Sequence, residues 1–263
     1  MTDREEEAVG EDTEHGSDER EMSFLDHLEE LRWRLVKSAL GLVVAVIGCS
    51  VISDWLVNEV VLLPSRNTDP PLKLINTVPY GQITFYMGVV ITGGIIITSP
   101  WILYQLWKFV EPGLRDKEKK YVSGIVVSTT FCFLSGVSFA YFLLLPYMLQ
   151  FFTTFGTSSI VNMISVGEYM SFVVQLILLS GLIFELPMIS YFLARFGIMT
   201  PAFMRHYRRH SIVAILIIAA IVTPTTDPIT MLVFSVPMFL LYEISIWIAG
   251  IAARKRASLD AVS

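Results

Sequence analysis

The sequence has few of the residues that most often build a catalytic or metal centre. Among 263 residues it contains two cysteines and four histidines. Cys49 and Cys132 stand alone without a CxxC spacing, which argues against a disulfide framework or a zinc site. His206 and His210 are four residues apart, but a tyrosine and two arginines separate them, so the glutamate that would act as a base beside a bound zinc is missing. We therefore expect no metal and no cofactor.

Catalytic and nucleotide-binding motifs are also missing. No GxxxxGK(S/T) string occurs, so the sequence offers no P-loop for a nucleotide. Ser-Gly pairs at Ser135 and Ser180 lack the earlier glycine that the GxSG motif of an intramembrane serine protease requires. The histidines all lie outside the apolar runs that could bury such a site. The sequence therefore predicts a protein that is not an enzyme.

Charge is scarce as well. Only 16% of the residues are charged, whereas 54% are hydrophobic and the mean hydropathy is +0.61. A soluble domain of this length does not hold so much apolar material, so lipid is the expected solvent. We predict an all-α, polytopic membrane protein with six transmembrane helices. The apolar runs cover residues 38–53, 74–107, 121–167, 169–194, 211–226 and 228–242.

The basic residues lie almost entirely on one side of these six runs. Of the 19 lysines and arginines, only Arg66 and Lys73 fall in the segments predicted to lie on the other side. Because cytoplasmic loops are rich in lysine and arginine, this distribution predicts that both termini are cytoplasmic. Residues 23–253 would form the transmembrane domain, and 254–263 a cytoplasmic C-terminal tail. The expected location is the cytoplasmic (inner) membrane.

Residues 1–22 are acidic, polar and almost without large apolar side chains. Such a composition cannot bury enough surface to offset the entropy of ordering, so we expect a disordered cytoplasmic tail. The tail contains no apolar stretch of the kind found in a cleaved signal peptide.

The last two apolar runs are short. Their apolar centres hold about 12 and about 14 residues, which at about 1.5 Å per residue span roughly 18–21 Å. The hydrocarbon layer of a bilayer is about 30 Å thick. The sequence therefore predicts a short helical hairpin at the end of the chain.

Carboxylates on the basic side are the first candidate functional groups. Residues 24–35 form an amphipathic pattern in which Glu30 and Arg34 are spaced for an i, i+4 ion pair. Glu118 lies in a charged segment between the second and third runs. From spacing alone, either glutamate could equally be an ordinary solvated surface charge.

Glu185 is the carboxylate inside an apolar run. An ionisable group at such a position is costly to bury, so it is a candidate functional residue. Pro187 follows it and would remove a helical hydrogen bond there. The alternative is that Glu185 pairs with Gln175 or Gln105 and serves packing alone.

Several short strings run in order along the chain on the six-span pattern, and none is decisive by itself. They are HLEELR at 27–32, SPWILYQLWKF at 99–109, EPGL at 111–114 followed by Glu118, FAYF at 139–142, FELP at 184–187, Thr223-Pro224, Asp227-Pro228, Pro237 and LYE at 241–243. Together they resemble the TatC family.

The resemblance implies a receptor for signal peptides that carry two consecutive arginines and belong to folded cargo proteins. It implies that Glu30 and Glu118 are the acidic recognition positions, with Arg32 and Phe109 beside them. A carboxylate can form two parallel hydrogen bonds with the planar guanidinium group of arginine. The ammonium group of lysine does not have this geometry.

The resemblance also implies a glove-shaped arrangement of the six helices with a concave, polar membrane face. Glu185 would lie in that face, and Gln105 and Tyr141 are secondary candidates to line it.

The turn between the last two helices is implied to contact single-span partners of the TatA or TatB type. Its candidate residues are Thr223, Asp227 and Met231, although helix capping alone would also explain Asp227. Met231 stands where many relatives carry glutamine. Further implied features are a homo-oligomer within a larger complex, the proton gradient as the energy source, and no nucleic-acid partner.

Two other functions remain compatible with the residues. A secondary transporter could use Glu185 as a proton-coupled carboxylate, in which case solute flux would depend on it. A scaffold for other membrane proteins would need neither Glu185 nor Glu30.

Overall fold

The computed structural model describes residues 24–111, 122–156, 163–222 and 228–260, and nearly all of them are helical. Residues 1–22, Glu118, Thr223 and Asp227 lie outside the described residues. The helices are α1 Phe24–Val51, α2 Ser53–Trp55, a π-helical segment Leu56–Val61, α3 Leu63–Arg66, α4 Gly81–Val110, α5 Val122–Phe139, a second π-helical segment Ala140–Leu144, α6 Leu145–Thr154, α7 Val166–Ile183, α8 Leu186–Phe196, α9 Pro201–His206, α10 Arg208–Val222 and α11 Pro228–Asp260; the strands are β1 Lys73–Ile75 and β2 Met163–Ser165.

Helices α1 and α4 are antiparallel and lie very close together. A Cβ atom built on Gly94 would be 2.6 Å from Cγ2 of Val46 and 3.2 Å from its backbone nitrogen. Nearer the start of α1, the Trp101 indole donates a 3.1 Å hydrogen bond to the Lys37 carbonyl. Small residues permit this approach because, within lipid, helices associate through close packing rather than through the hydrophobic effect.

Small residues also join α5 to α7. A Cβ on Gly136 would meet the Ser180 carbonyl and Gly181 Cα, at 2.6 and 2.9 Å. Nearer the middle of α5, the Trp107 indole of α4 donates a 3.2 Å hydrogen bond to Thr129 Oγ1. The Trp107 ring also meets the Phe192 ring of α8, with centroids 4.4 Å apart. The start of α1, the end of α4 and the end of α8 therefore share one end of the bundle, which we call the basic end.

Five helical stretches of the described chain are long and apolar enough to cross a membrane. They are His27–Val51, Gly81–Val110, Ser123–Thr154, Val166–Phe196 and Met231–Arg254. The predicted all-α, polytopic fold is confirmed. The fifth predicted span, α10, is short as expected, with 15 residues.

The prediction of a short sixth span is wrong. Helix α11 has 33 residues and continues well past Tyr242. Glu243 does not end the helix, and Arg208 of α10 pairs with its carboxylate at 2.6 Å. An apolar stretch then follows, and the helix reaches Asp260, within the predicted C-terminal tail.

Prolines interrupt only some of the spans. Pro187 lies in the first turn of α8, just after the break between α7 and α8, and Pro146 lies in the first turn of α6, just after a π-helical segment. Pro100 and Pro237 lie inside the uninterrupted helices α4 and α11.

The end of the bundle opposite the basic end contains regular structure, although the segment before α4 is rich in proline. Strands β1 and β2 pair in parallel, with Leu74 opposite Ile164. The hydroxyls of Tyr141 and Tyr169 donate to the carbonyls of Val60 and Val61, at 2.8 and 2.6 Å. These bonds satisfy carbonyls of the first π-helical segment and fix it to the helices.

Gly94→Ala should destabilise the protein by about 1–3 kcal/mol, because the new methyl group would force α1 away from α4. Gly48→Ala is the matched control on α1, since a Cβ there meets nothing within 4 Å. That control should be neutral or stabilising, because alanine is the better helix former. Thermal unfolding of both variants in detergent measures the difference, and equal melting temperatures would contradict the close approach.

Candidate functional site

Glu30 lies near the start of α1 and is held by its own helix. Arg34 donates from both Nε and Nη2 to one oxygen of the carboxylate, Oε1, and the Nε bond is 2.9 Å long. The predicted i, i+4 ion pair is therefore confirmed. The second oxygen, Oε2, is buried and has no hydrogen-bond partner among the described residues. The site thus holds a carboxylate with half of its accepting capacity unused.

An aromatic stack joins α1 to α4 one turn before Glu30. The rings of His27 and Phe109 lie 4.3 Å apart and nearly parallel, at 18°. Lys108 next to this stack pairs with Glu111 at 2.6 Å. The structure therefore brings Phe109 to the start of α1, as a binding site shared with Glu30 would need, but one face of its ring is covered by His27.

Arg32 does not join this group within the described contacts. It is exposed, and it lies two residues from Glu30, a separation that places side chains on different faces of a helix. Glu118 lies outside the described residues, so Glu30 is the one predicted recognition carboxylate whose geometry the structure describes.

Glu185 lies between α7 and α8, where the helix is interrupted. It is 7% exposed, and its Oε1 has no hydrogen-bond partner in the part of the chain that the structure describes. Gln175 donates to the Ile221 carbonyl at 3.3 Å rather than to Glu185. No hydrogen bond to Gln105 is found among the described residues either. Burying a carboxyl oxygen without a partner is costly, so packing alone does not explain this residue.

Gln105 and Tyr141 are not brought together. Gln105 is 4% exposed and lies two residues before Trp107, which bonds to Thr129. Tyr141 lies 12 residues beyond Thr129 along the same continuous helix, about 18 Å away at 1.5 Å per residue. Its hydroxyl is already bound to Val60. The two residues therefore lie at different depths in the bundle.

Of the three residues predicted at the last turn, only Met231 is described. It is half-buried and packs against the main apolar core, which leaves only part of its side chain for a partner.

Sequence reasoning missed the His27–Phe109 stack and the two tyrosine anchors. No local spacing indicates these contacts, because their partners are separated by about 80 residues or more. The one signal in the sequence that could have indicated these contacts is the presence of aromatic residues at the positions concerned.

The chain matches the family model described as TatC, Sec-independent protein translocase protein, over residues 26–237. A TatC protein of Halalkalibacterium halodurans is 35% identical over 92% of this chain and 94% of its own length. TatCy of Bacillus subtilis is 37% identical over 89% and 91%. The chloroplastic TATC of Pisum sativum is 33% identical over 90% of this chain and 66% of its own length.

A crystal structure described as the twin arginine translocase receptor TatC superimposes with a TM-score of 0.77. It is 33% identical in sequence, and the match covers 86% of this chain and 99% of that one. Its fold is therefore that of the helical bundle described above. The related proteins are translocase components and not enzymes. This chain belongs to the TatC family of Sec-independent protein translocase proteins.

Proposed function

We propose that the chain is the receptor subunit of a twin-arginine translocase and binds Arg-Arg signal peptides of folded proteins at its basic end. The observation that carries the proposal is the Glu30 carboxylate, which has one oxygen held by Arg34 and the other buried without a partner in the described chain. An incoming guanidinium would reach that enclosed oxygen by displacing the side chains around it, and a charge-assisted bond would then satisfy it.

The surroundings of Glu30 favour arginine over lysine. A guanidinium is planar and can bond to the carboxylate while it stacks on an aromatic ring. The His27–Phe109 stack lies one turn away and offers such a ring. A lysine ammonium is a strongly hydrated point charge and gains less from either contact. Glu118, which matches the family's second acidic position, would bind the other arginine.

In this proposal the basic end faces the cytoplasm of a prokaryote, both termini are cytoplasmic, and the chain lies in the inner membrane. The support is the distribution of lysine and arginine along the sequence. The proposal also includes assembly with single-span TatA or TatB partners at the turn around Thr223, Asp227 and Met231. It further includes a homo-oligomer and the proton gradient as the energy source, and family membership is the support for these parts.

Glu185 has a different part in the proposal. Its buried carboxyl group would be a polar site on the concave membrane face, and a partner or a signal peptide would bind there during transport. The support is the Oε1 atom, which has no hydrogen-bond partner among the described residues, and the helix break at the same place.

Binding of an Arg-Arg signal peptide should weaken about 10- to 100-fold in Glu30→Gln, because a charge-assisted bond is lost. Glu29→Gln is the matched control, since Glu29 is an exposed neighbour on another face of α1. Affinities for the Arg-Arg peptide and its Lys-Lys version, measured on wild type, Glu29→Gln, Glu30→Gln and Glu118→Gln in nanodiscs, test this. Wild-type protein that binds both peptides equally, or an equal loss in Glu29→Gln, would refute the site.

Glu185→Gln should reduce export of a twin-arginine reporter about tenfold or more while leaving the affinity of the basic-end site for the peptide within about twofold, because it changes a carboxyl group inside the membrane and not the Glu30 site. Glu168→Gln is the matched control on α7: Glu168 closes a capping box with Ser165, and glutamine caps equally well. Normal export by Glu185→Gln would remove Glu185 from the mechanism. Loss of a proton-coupled solute flux would instead favour a transporter.

A further inference from the structure

A groove at the basic end lies apart from Glu30 and Glu185. It has a volume of about 290 Å³ and runs along one face of α11, with the start of α10 and the short helix α9 on its other side. We call it the α11 groove and define it by Arg205, Arg208, Glu243, Trp247, Gly250 and Arg254. The residues from α11 recur every three to four positions, so they form a single stripe on that helix.

The α11 groove carries an excess of positive charge. Three guanidinium groups line it, against the single carboxylate of Glu243. Arg208 is paired with Glu243 at 2.6 Å. Arg205 and Arg254 are exposed and make no ion pair within the part of the chain that the structure describes. The unneutralised charge therefore suits an anion.

The walls of the α11 groove are held in place by packing. The Tyr242 hydroxyl of α11 donates a 2.8 Å bond to the Met204 carbonyl of α9. Ala249 and Ala252 of α11 are completely buried with Ala194 of α8. Because both sides of the groove are fixed by buried contacts, an occupant would meet arginines on preformed walls.

The position of the groove results from the unequal lengths of two neighbouring helices. Helix α10 starts at Arg208, beside Glu243. Helix α11 extends past Glu243 by 11 residues, about 16 Å, as far as Arg254 on the groove, and continues beyond it to Asp260. A gap is therefore left beside α11 and beyond the start of α10. Trp247 is 70% exposed on the wall of this gap, and Ile251 beside it is 47% exposed. Tryptophan with arginine near the end of a span is typical of the headgroup layer of a membrane.

We propose that the α11 groove binds the phosphodiester headgroup of an anionic glycerophospholipid, such as phosphatidylglycerol, with its acyl chains against Trp247 and Ile251. Arg205 and Arg254 contact the phosphate. Arg208 is paired with Glu243, and this pair forms the fixed bottom of the groove. Basic pockets between helices at the cytoplasmic surface suit such headgroups. The exposed apolar wall explains why the occupant is a lipid rather than a free anion. This site does not depend on signal-peptide binding.

Quenching of Trp247 fluorescence by brominated lipids tests the proposal. The full chain is placed in phosphatidylcholine nanodiscs that contain brominated phosphatidylglycerol or, in a parallel sample, brominated phosphatidylcholine. The Trp247 signal is the difference between each protein and its Trp247→Phe counterpart. We expect stronger quenching by phosphatidylglycerol, with apparent affinity falling about fivefold in Arg205→Gln and in Arg254→Gln. Arg209→Gln is the control, because Arg209 is exposed next to Arg208 and does not line the groove.

Three outcomes would overturn the lipid site. Equal quenching by the two lipids would show no headgroup selection, and an equal loss in Arg209→Gln would show general attraction to a charged surface. A further arm compares inorganic phosphate with chloride at equal ionic strength. Phosphate should not relieve the quenching more than chloride does, and selective displacement by phosphate would show a site for the free anion instead.

Discussion

The close approach of α1 to α4 fixes the geometry of the candidate receptor site. Gly94 lets the backbone of α1 come near α4 at Val46, and the Trp101–Lys37 bond sets the register of the two helices. The start of α1 and the end of α4 then meet, which is why His27 stacks on Phe109. Glu30 has its position relative to that stack only because α1 is continuous from Phe24 to Val51. A small residue in the bilayer thus determines a surface at its edge.

Local features of the site could be predicted from sequence, whereas contacts between helices could not. The Glu30–Arg34 pair follows from a four-residue spacing within one helix. The His27–Phe109 stack requires the register between two helices, which only the packing of small residues decides. Gln175 shows the same limit: its amide bonds to a carbonyl of α10, 46 residues away, and not to the nearby Glu185.

The number and order of the spans could be predicted because apolar runs and basic loops are properties of the chain itself. The length of the last helix could not. Glu243 marks the end of an apolar run in sequence, but its charge is compensated by Arg208, 35 residues earlier. With that pair formed, the helix continues through Trp247, and the difference in length between α10 and α11 creates the α11 groove.

Pairing of β1 with β2 has a mechanical consequence. It ties the segment before α4 to the segment before α7, and the Tyr141 and Tyr169 bonds tie the first π-helical segment to the same end. That end acts as a fixed pivot for the long helices. Helix α4 has 30 residues and is about 45 Å long, so a rotation of about 5° at the pivot moves its far end by about 4 Å. A small rotation at the tied end is therefore enough to break the His27–Phe109 stack and the Trp107–Thr129 bond at the other end of α4.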